Sequence, residues 1–600
     1  MNLIFDIETN GLLDKVTKLH TIAVYDLDTE KIESSTPHNH QGILDKLQKA
    51  DMVIGHNILK YDVPVLQKLY PNFKVKKIYD TLLVSKLAFP DIGIMDDINI
   101  YKGTFPKSLR GSYSLKAWGY RLGVLKGTYC EQENAWNQYS EEMRAYCEDD
   151  VRVTLALYKC LQKKKVAQSA IDLEHNFAQI IFNQEVRGVC FDTEKAVELA
   201  SALTDEKTKL ETQLQKTFKP KVIRTPFTPK ANNKSKGYVK GVTIYKEKVI
   251  PFNPSSRDMI AERLMEMGWK PKAFTIKENK PVINEEILEG ITDIPEAEIL
   301  KQYFRCTKVF GQLVDGKNAW LKLLSGDCIH GRVDTIGAVT GRCTHSNPNL
   351  AQVPSPRAYK GEECRRLFRA RKGYLLIGTD ASGLELRCLA HFMKDPHYVH
   401  EILNGDIHTK NQISAGLPTR NDAKRFIYAF IYGGGDKMIG ELVGGKSKQG
   451  KEIKAKFLSS LPTLKKLMDN VKSVINNRGF LYGLDRRKLK IRESYKGLNV
   501  LLQSAGAVVM KKALCILNDD LTANGMSVFN WADYCKGKRD FDIAFVLNVH
   551  DEYQAEVKPQ FEEIYKKLAV DAIRKAGEYF NFYCPLDGEA KVGKDWFDTH

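Results

Sequence analysis

The chain has few of the features that mark secreted or membrane proteins. Its 12 cysteines among 600 residues include no C-x-x-C pair, which indicates neither a disulfide framework nor a zinc knuckle. No apolar run approaches the roughly 18–20 residues expected of a spanning helix. Asp6 and Glu8 interrupt the N-terminus where a signal peptide would need its apolar core. No internal repeat is found. Acid is in deficit, with 74 Asp plus Glu against 91 Lys plus Arg and a net charge of +17, so a polyanionic partner such as nucleic acid is favoured. These absences predict a protein with no membrane partner, working in a reducing cytoplasm.

What is present is enough for three or four domains, with 43% hydrophobic residues to fill their cores. The first 160 residues alternate short apolar strands with helical periods, predicting an α/β domain. Residues 166–218 read as long amphipathic helices. From Lys219 to Lys248 the character changes: eight lysines and Arg224 face the single acid Glu247, predicting an exposed basic loop between helices. Helical periodicity returns after Asn253-Pro254, with Ser255 or Ser256 as the cap.

Two constellations of carboxylates carry the chemistry. Leu375–Thr379 and Phe545–Val549 read as β-runs that end at Asp380 and Asp551. Acids exposed at adjacent strand ends can share two Mg²⁺ ions, as phosphoryl transfer requires. Between them, Arg420, Lys424 and Tyr428 follow one another at four-residue spacing on a helix whose Ile427, Phe430 and Ile431 pack inward. A guanidinium, an ammonium and a phenol on one stripe suit a triphosphate. Alone, such a stripe is more often a solvated face; with both aspartates it reads as a nucleotide polymerase. The second constellation begins with Asp6 and Glu8, two apart and so on one face of a strand. Asp62 precedes a helical pattern, and Tyr146 and Asp150 share a helix face. Four acids and a tyrosine, with no His or Cys partner, match a two-metal nuclease in which Tyr146 orients the attacking water.

The segments FDIETNGL, GHNILKYD and YCEDD resemble the three motifs of the DEDDy 3′–5′ proofreading exonucleases. TDASGLELR, RNDAKRFIYAFIYGGG and VHDEYQ resemble motifs A, B and C of family A (Pol I-like) DNA polymerases. GDIHTKNQ, AVTGRCTH, NPNLAQVP and LLQSAGA are similar to segments of the replicative enzymes of T-seven-like bacteriophages. The motifs run in family order from residue 3 to the C-terminus. The resemblance implies a multidomain α/β and α+β fold: a ribonuclease H-like exonuclease domain (1–165), then a right hand. Its thumb would span 166–335 with the basic loop at about 219–251, its palm 336–400 and 486–600, and its fingers 401–485.

Carried over residue by residue, Asp380, Asp551 and the Ala381 carbonyl would hold two Mg²⁺ ions; Asp6, Glu8, Asp62 and Asp150 would hold two more. His408, Arg420, Lys424 and Tyr428 would bind the dNTP. Glu385 would be the steric gate against a ribose 2′-hydroxyl, its carboxylate bonded to Tyr428. Arg342, Gln503 and His550 would contact primer-template DNA, with Arg342 and Gln503 at minor-groove acceptors common to every correct pair. The resemblance also implies a helicase-primase and a single-strand-binding protein as partners, in the cytoplasm of a bacterial host. Thioredoxin-recruiting relatives carry a long thumb insertion before NPSSRD. Here only the short stretch from Lys219 to Pro251 stands in that place, which argues against thioredoxin. A repair or organellar family A polymerase shares the motifs, whereas a non-catalytic DNA-binding scaffold would have no use for six placed acids. Glu385 and the intact nuclease set disfavour a single-subunit RNA polymerase.

Overall fold

A computed structural model describes residues 1–600, apart from the side chain of Cys130. The chain divides into two compact units. The first comprises Met1–Val189, His330–Ala351 and Ala370–His600; the second comprises Cys190–Ile329 and Gln352–Arg369.

The first unit begins with a five-stranded sheet. Its strands β1 (Asn2–Thr9), β2 (Leu19–Asp26), β3 (Ile32–Ser34), β4 (Met52–Gly55) and β5 (Ile78–Asp80) lie in the order β3-β2-β1-β4-β5. β1 is central, antiparallel to β2 and parallel to β4, so apolar residues on both of its faces are covered. Helix α1 (Asp62–Leu69) follows β4. Helix α2 (Glu141–Gln162) is capped by Ser140, whose hydroxyl accepts from the Met143 amide at 3.1 Å. Its buried stripe includes Met143, Tyr146, Cys147, Asp150, Val151 and Thr154; this three-and-four spacing turns one face onto β1 and β2. Apolar residues drive the docking, and polar residues, among them Tyr146, Asp150 and Thr154, are carried inward with them.

Helix α3 (Gln168–Arg187) continues the first unit. Leu173, Phe177, Ile180 and Ile181 join a large core shared with residues from Val333 to Leu586. The second compact unit starts at Cys190. Lys60, from the N-terminal domain, pairs with Glu185 on α3 at 2.7 Å and donates to the Val333 carbonyl at 2.8 Å.

In the second unit, α4 (Thr193–Thr217) packs against α5 (Glu296–Phe310). The basic stretch is not a loop. It is an antiparallel hairpin of β6 (Lys221–Phe227) and β7 (Ile244–Ile250) with nearly every residue exposed. Valine, isoleucine, threonine and tyrosine between the lysines supply the β propensity; the net charge had masked it. Phe218 and Phe252 close its base with rings 4.4 Å apart, and Lys246 lies over the Phe227 ring at 3.6 Å. The next helix, Arg257–Glu266, is capped by Ser256.

The rest of the first unit is built on β8 (Leu375–Ala381), followed by α6 (Leu384–Met393), α7 (Ile407–Ala415), α8 (Arg420–Ile431) and α9 (Gly497–Ala523). Strands β9 (Ile543–Val549) and β10 (Glu552–Val557), helix α10 (Glu562–Tyr579) and strand β11 (Gly588–Gly593) complete it. The four strands form an antiparallel sheet in the order β9-β10-β8-β11, with α9 and α10 packed together and α10 against β8 and β11. The segment Ser494–Ala523 does have the length and hydropathy of a membrane span, contrary to the sequence expectation. Its apolar surface is instead used internally, since 78% of the apolar window is buried in the protein.

Candidate active sites

The ladder between β8 and β10 fixes the first site. Asp380 pairs with Glu552, and Thr379 with Tyr553. β9 and β10 are joined by a two-residue turn, His550-Asp551, in which His550 takes φ 55°, the left-handed value that tight hairpin turns require. Asp551 is thereby held beside Asp380, and its carbonyl accepts from the Ala381 amide at 3.3 Å. Gly378 cannot be larger, because an added Cβ would lie 2.5 Å from the Gln554 side chain and the Thr599 carbonyl. Burial pushes Asp551 up to about 7, with the Glu385 charge adding to the rise and Arg342 opposing it. Asp380 is pushed up to about 6 by burial and then by Glu552. Partly desolvated oxygen ligands that repel one another fit a divalent cation.

Helix α8 brings a cationic group to the same face of the unit. Ala423, Phe426, Ile427, Phe430 and Ile431 are buried, and Phe426 and Phe430 meet Phe457 at 5.1 and 5.3 Å. The opposite side leaves Arg420 and Lys424 exposed. Arg420 forms a two-pronged pair with Asp406 at 2.6 and 3.1 Å. The His408 ring lies 6.4 Å from that of Tyr428, and its buried Nδ1 makes no hydrogen bond among the described residues. The charges of Glu385, Asp551 and Asp380 all reach Tyr428. Arg342, His550 and Asp551 line one cavity with Ala507, Met510 and Lys511 of α9; Gln503 is one turn before Ala507 on that helix.

The expected bond from Glu385 to Tyr428 is not made. Glu385 accepts instead from the Tyr432 hydroxyl at 2.9 Å and lies 3.8 Å from Arg342. The cause is the way α8 ends. Gly433 has φ 80° and donates to Phe430 O at 3.0 Å, while Gly434 donates to Ala429 O at 2.7 Å. That pair of bonds is a Schellman stop. An added Cβ at Gly434 would sit 2.7 Å from the Ala429 carbonyl, so the triple glycine terminates the helix where Tyr432 can reach Glu385. Sequence reasoning also missed Glu552, a buried acid held by Trp596 Nε1 and by His600 at 2.7 Å.

The second site lies where β1, α1 and α2 meet. Asp62, at the start of α1, accepts from the Ile7 amide at 3.2 Å, fixing α1 to β1. Burial pushes Asp62 up to about 7 and holds Asp6 well above the usual carboxylate range; Asp62, Asp150 and Glu8 add to the Asp6 shift. Asp150 is raised by burial, against which Lys126 acts. The charges of Asp62, Asp150 and Glu8 all act on Asp6, Tyr146 shares a face of α2 with Asp150, and a cysteine not singled out in the sequence stands beside them. Cys147 Sγ lies 3.8 Å from Asp6 Oδ2, and ligand atoms of Asp6, Glu8 and Cys147 all fall within 4.8 Å of one another. Burial and the Asp6 charge keep this thiol protonated. Clustered hard oxygen donors fit a divalent ion here also.

Residues 231–598 match the family described as DNA polymerase family A, and residues 3–162 match the RNase H superfamily. The chain belongs to DNA polymerase family A. It is 36% identical to the DNA-directed DNA polymerase of Enterobacteria phage T3 and 35% identical to that of Escherichia phage T7, in each case over the whole of both chains. It is 26% identical to the thermostable DNA polymerase I of Thermus aquaticus over 58% of this chain and 42% of that one. Both carboxylate sites therefore lie inside matched domains, the first in the family A region and the second in the RNase H-like region. Enzymes with these two domains generally depend on divalent metal ions.

Proposed function

We infer that this family A enzyme is a DNA-directed DNA polymerase of phage genome replication that proofreads with its own 3′–5′ exonuclease. The observation that carries the reading is the β8–β10 ladder with the turn before β10, which holds Asp551 beside the end of β8 at Asp380, the charges of both acting on Tyr428 of the cationic helix α8. Asp380, Asp551 and the Ala381 carbonyl would hold two Mg²⁺ ions, and Asp6, Glu8, Asp62 and Asp150 two more. Bound there, such ions would acidify the attacking hydroxyl or water and would carry the charge of the leaving group.

The protein's own groups do the rest. Arg420 exchanges Asp406 for phosphate oxygens, keeping its two-pronged geometry; Lys424 and His408 complete the triphosphate contacts. Glu385, braced by Tyr432 and Arg342, fills the space of a ribose 2′-hydroxyl. Arg342, Gln503 and His550 touch the primer-terminal pair, and Tyr146 orients water in the nuclease site. The sheet of β8–β11 with α9 acts as palm, the helices around α8 as fingers, and the second unit as thumb. Helicase-primase and single-strand-binding partners follow from the replicative role. With so short a hairpin before Asn253, thioredoxin is not expected to be recruited.

Primer extension on a long template with four dNTPs and Mg²⁺ tests the reading. Extension to long products is expected; binding without extension would leave only a scaffold, and short products at every salt would favour a repair enzyme. The hairpin of β6 and β7 is expected to grip duplex phosphates. Replacing Lys230, Lys234, Lys236 and Lys240 with alanine should shorten products per binding event and leave single-nucleotide incorporation almost unchanged. Each lost phosphate contact should flatten the log–log salt dependence of DNA binding by about 0.9. An unaltered slope would make these lysines mere solubilising groups.

A further inference from the structure

A cation with no part in the proposed chemistry reaches into the nuclease site. Lys126 lies in the segment that follows the helix Leu115–Leu122. Its ammonium pairs with Asp150 at 2.9 Å and stands 4.5 Å from the centre of the Tyr146 ring. Its side chain is only 13% exposed, so the charge is far from free water and interacts more strongly than a surface lysine would.

The segment is built to deliver it. Gly123, at φ 70°, stops the preceding helix, and the Val124 amide donates back to Gly119 O at 3.0 Å. An added Cβ at Gly119 would lie 2.8 Å from the Val124 carbonyl, so the chain passes close over the helix there. On its other sides the Tyr146 ring is packed by Tyr129 at 5.9 Å and Trp136 at 6.1 Å. Tyr129 is itself fixed by donating to Ala135 O at 2.6 Å. Lys126 thus closes an aromatic box whose fourth member is the tyrosine of the site. Tyr146 and Asp150 are one turn apart on α2, and a single ammonium touches both. Of the ion pairs described for Asp6, Asp62 and Asp150, Lys126–Asp150 is the one present. Its charge is also felt at Asp6.

We propose that Lys126 is a positioning residue of the exonuclease, a resident counter-charge that holds Asp150 and Tyr146 in register and at the same time weakens binding of the divalent ion. This rests on the nuclease reading above. The two effects have opposite signs. An ammonium beside a carboxylate competes for it, so its removal should tighten metal binding; the same removal frees Asp150 and Tyr146 to move, and turnover should fall. A residue that only supported the fold would lower both.

The test uses full-length enzyme carrying Asp380→Asn and Asp551→Asn, so that the nuclease acids are the principal metal site left. Lys126→Met keeps the length of the side chain and removes its charge. Calorimetric titration with Mn²⁺ alone should show affinity about tenfold tighter, the order expected for one unit charge at a partly screened dielectric. At saturating metal, kcat for digestion of single-stranded DNA should drop about a hundredfold with KM nearly constant, the scale of loss from small misplacement of reacting groups. Lys126→Arg, which keeps the charge, should return metal affinity to the parent value and recover part of kcat. Melting temperatures in EDTA verify folding, and the Arg variant carries the test if the Met variant is unstable. Tighter metal binding with slower turnover supports the proposal. Weaker binding with slower turnover, no change in affinity, or an unchanged kcat each overturns it. Absence of digestion by the parent protein would instead remove the nuclease reading itself.

Discussion

Asp380→Asn or Asp551→Asn is expected to abolish primer extension while leaving 3′–5′ digestion at the parent rate. Asp6→Ala together with Glu8→Ala should do the reverse. Losing one ligand of a two-metal centre costs several kcal/mol of transition-state stabilisation, on the order of a thousandfold in rate. The separation follows from topology. Asp380 and Asp551 sit on a strand of the C-terminal sheet and the turn beside it, whereas Asp6 and Glu8 share a face of the central strand of another. No hydrogen bond or ion pair described here links the two sets. Replacing an aspartate by asparagine keeps its shape and removes a charge from a crowded carboxylate cluster, so the folded state should be preserved or slightly stabilised. The measurement is extension and single-strand digestion on the same preparations, with thermal melts alongside. Loss of both activities in a folded single-site variant would show that the two metal centres are not independent.

Much of this was legible in the sequence because it depends on period and order. Asp6 and Glu8 share a face because a strand repeats every two residues. Ile427, Phe430 and Ile431 are buried because a helix repeats every 3.6, and the structure agrees. Five things were not legible, for physical reasons. The partner of Glu385 was carried over from the resemblance as Tyr428, but it is Tyr432, one turn further on, that the Gly433-Gly434 stop aims at that carboxylate, and motif letters do not carry that geometry. Lys126 comes from irregular chain 24 residues before Asp150, where no spacing rule reaches. The basic stretch was read from its charge, and charge says little about backbone pairing, so an exposed hairpin passed for a loop. That helix α3 lies in the first compact unit was not legible either, because amphipathicity shows that a face is buried without showing against what. Cys147 was overlooked for a similar reason, since only the docking of α2 on β1 brings its sulfur beside Asp6.

The choice of terminator nucleotides should turn on Tyr428. The resemblance pairs its hydroxyl with Glu385, but that carboxylate is bonded to Tyr432, so the phenol is not engaged by the gate and, in the proposed reading, would face the incoming sugar. Its ring is fixed by α8 on one side and lies near His408 on the other. A hydroxyl held there can replace the missing 3′-hydroxyl of a dideoxynucleotide as a hydrogen-bond partner for the triphosphate. The wild type is therefore expected to incorporate dideoxynucleotides readily. Tyr428→Phe keeps the ring and its packing and removes only the donor. A hydrogen bond to a charged group contributes about 1.5–3 kcal/mol, so discrimination against the terminator should rise on the order of ten- to a hundredfold. Normal dNTP incorporation should change little, because that substrate brings its own hydroxyl. Tyr432→Phe provides the contrast: it releases Glu385, and should loosen rejection of ribonucleotides without creating the same preference against terminators. The measurement is the ratio of kcat/KM for dNTP and ddNTP opposite one template base in the three proteins. Equal ratios for wild type and Tyr428→Phe would remove Tyr428 from the sugar site and leave it as packing for α8 alone.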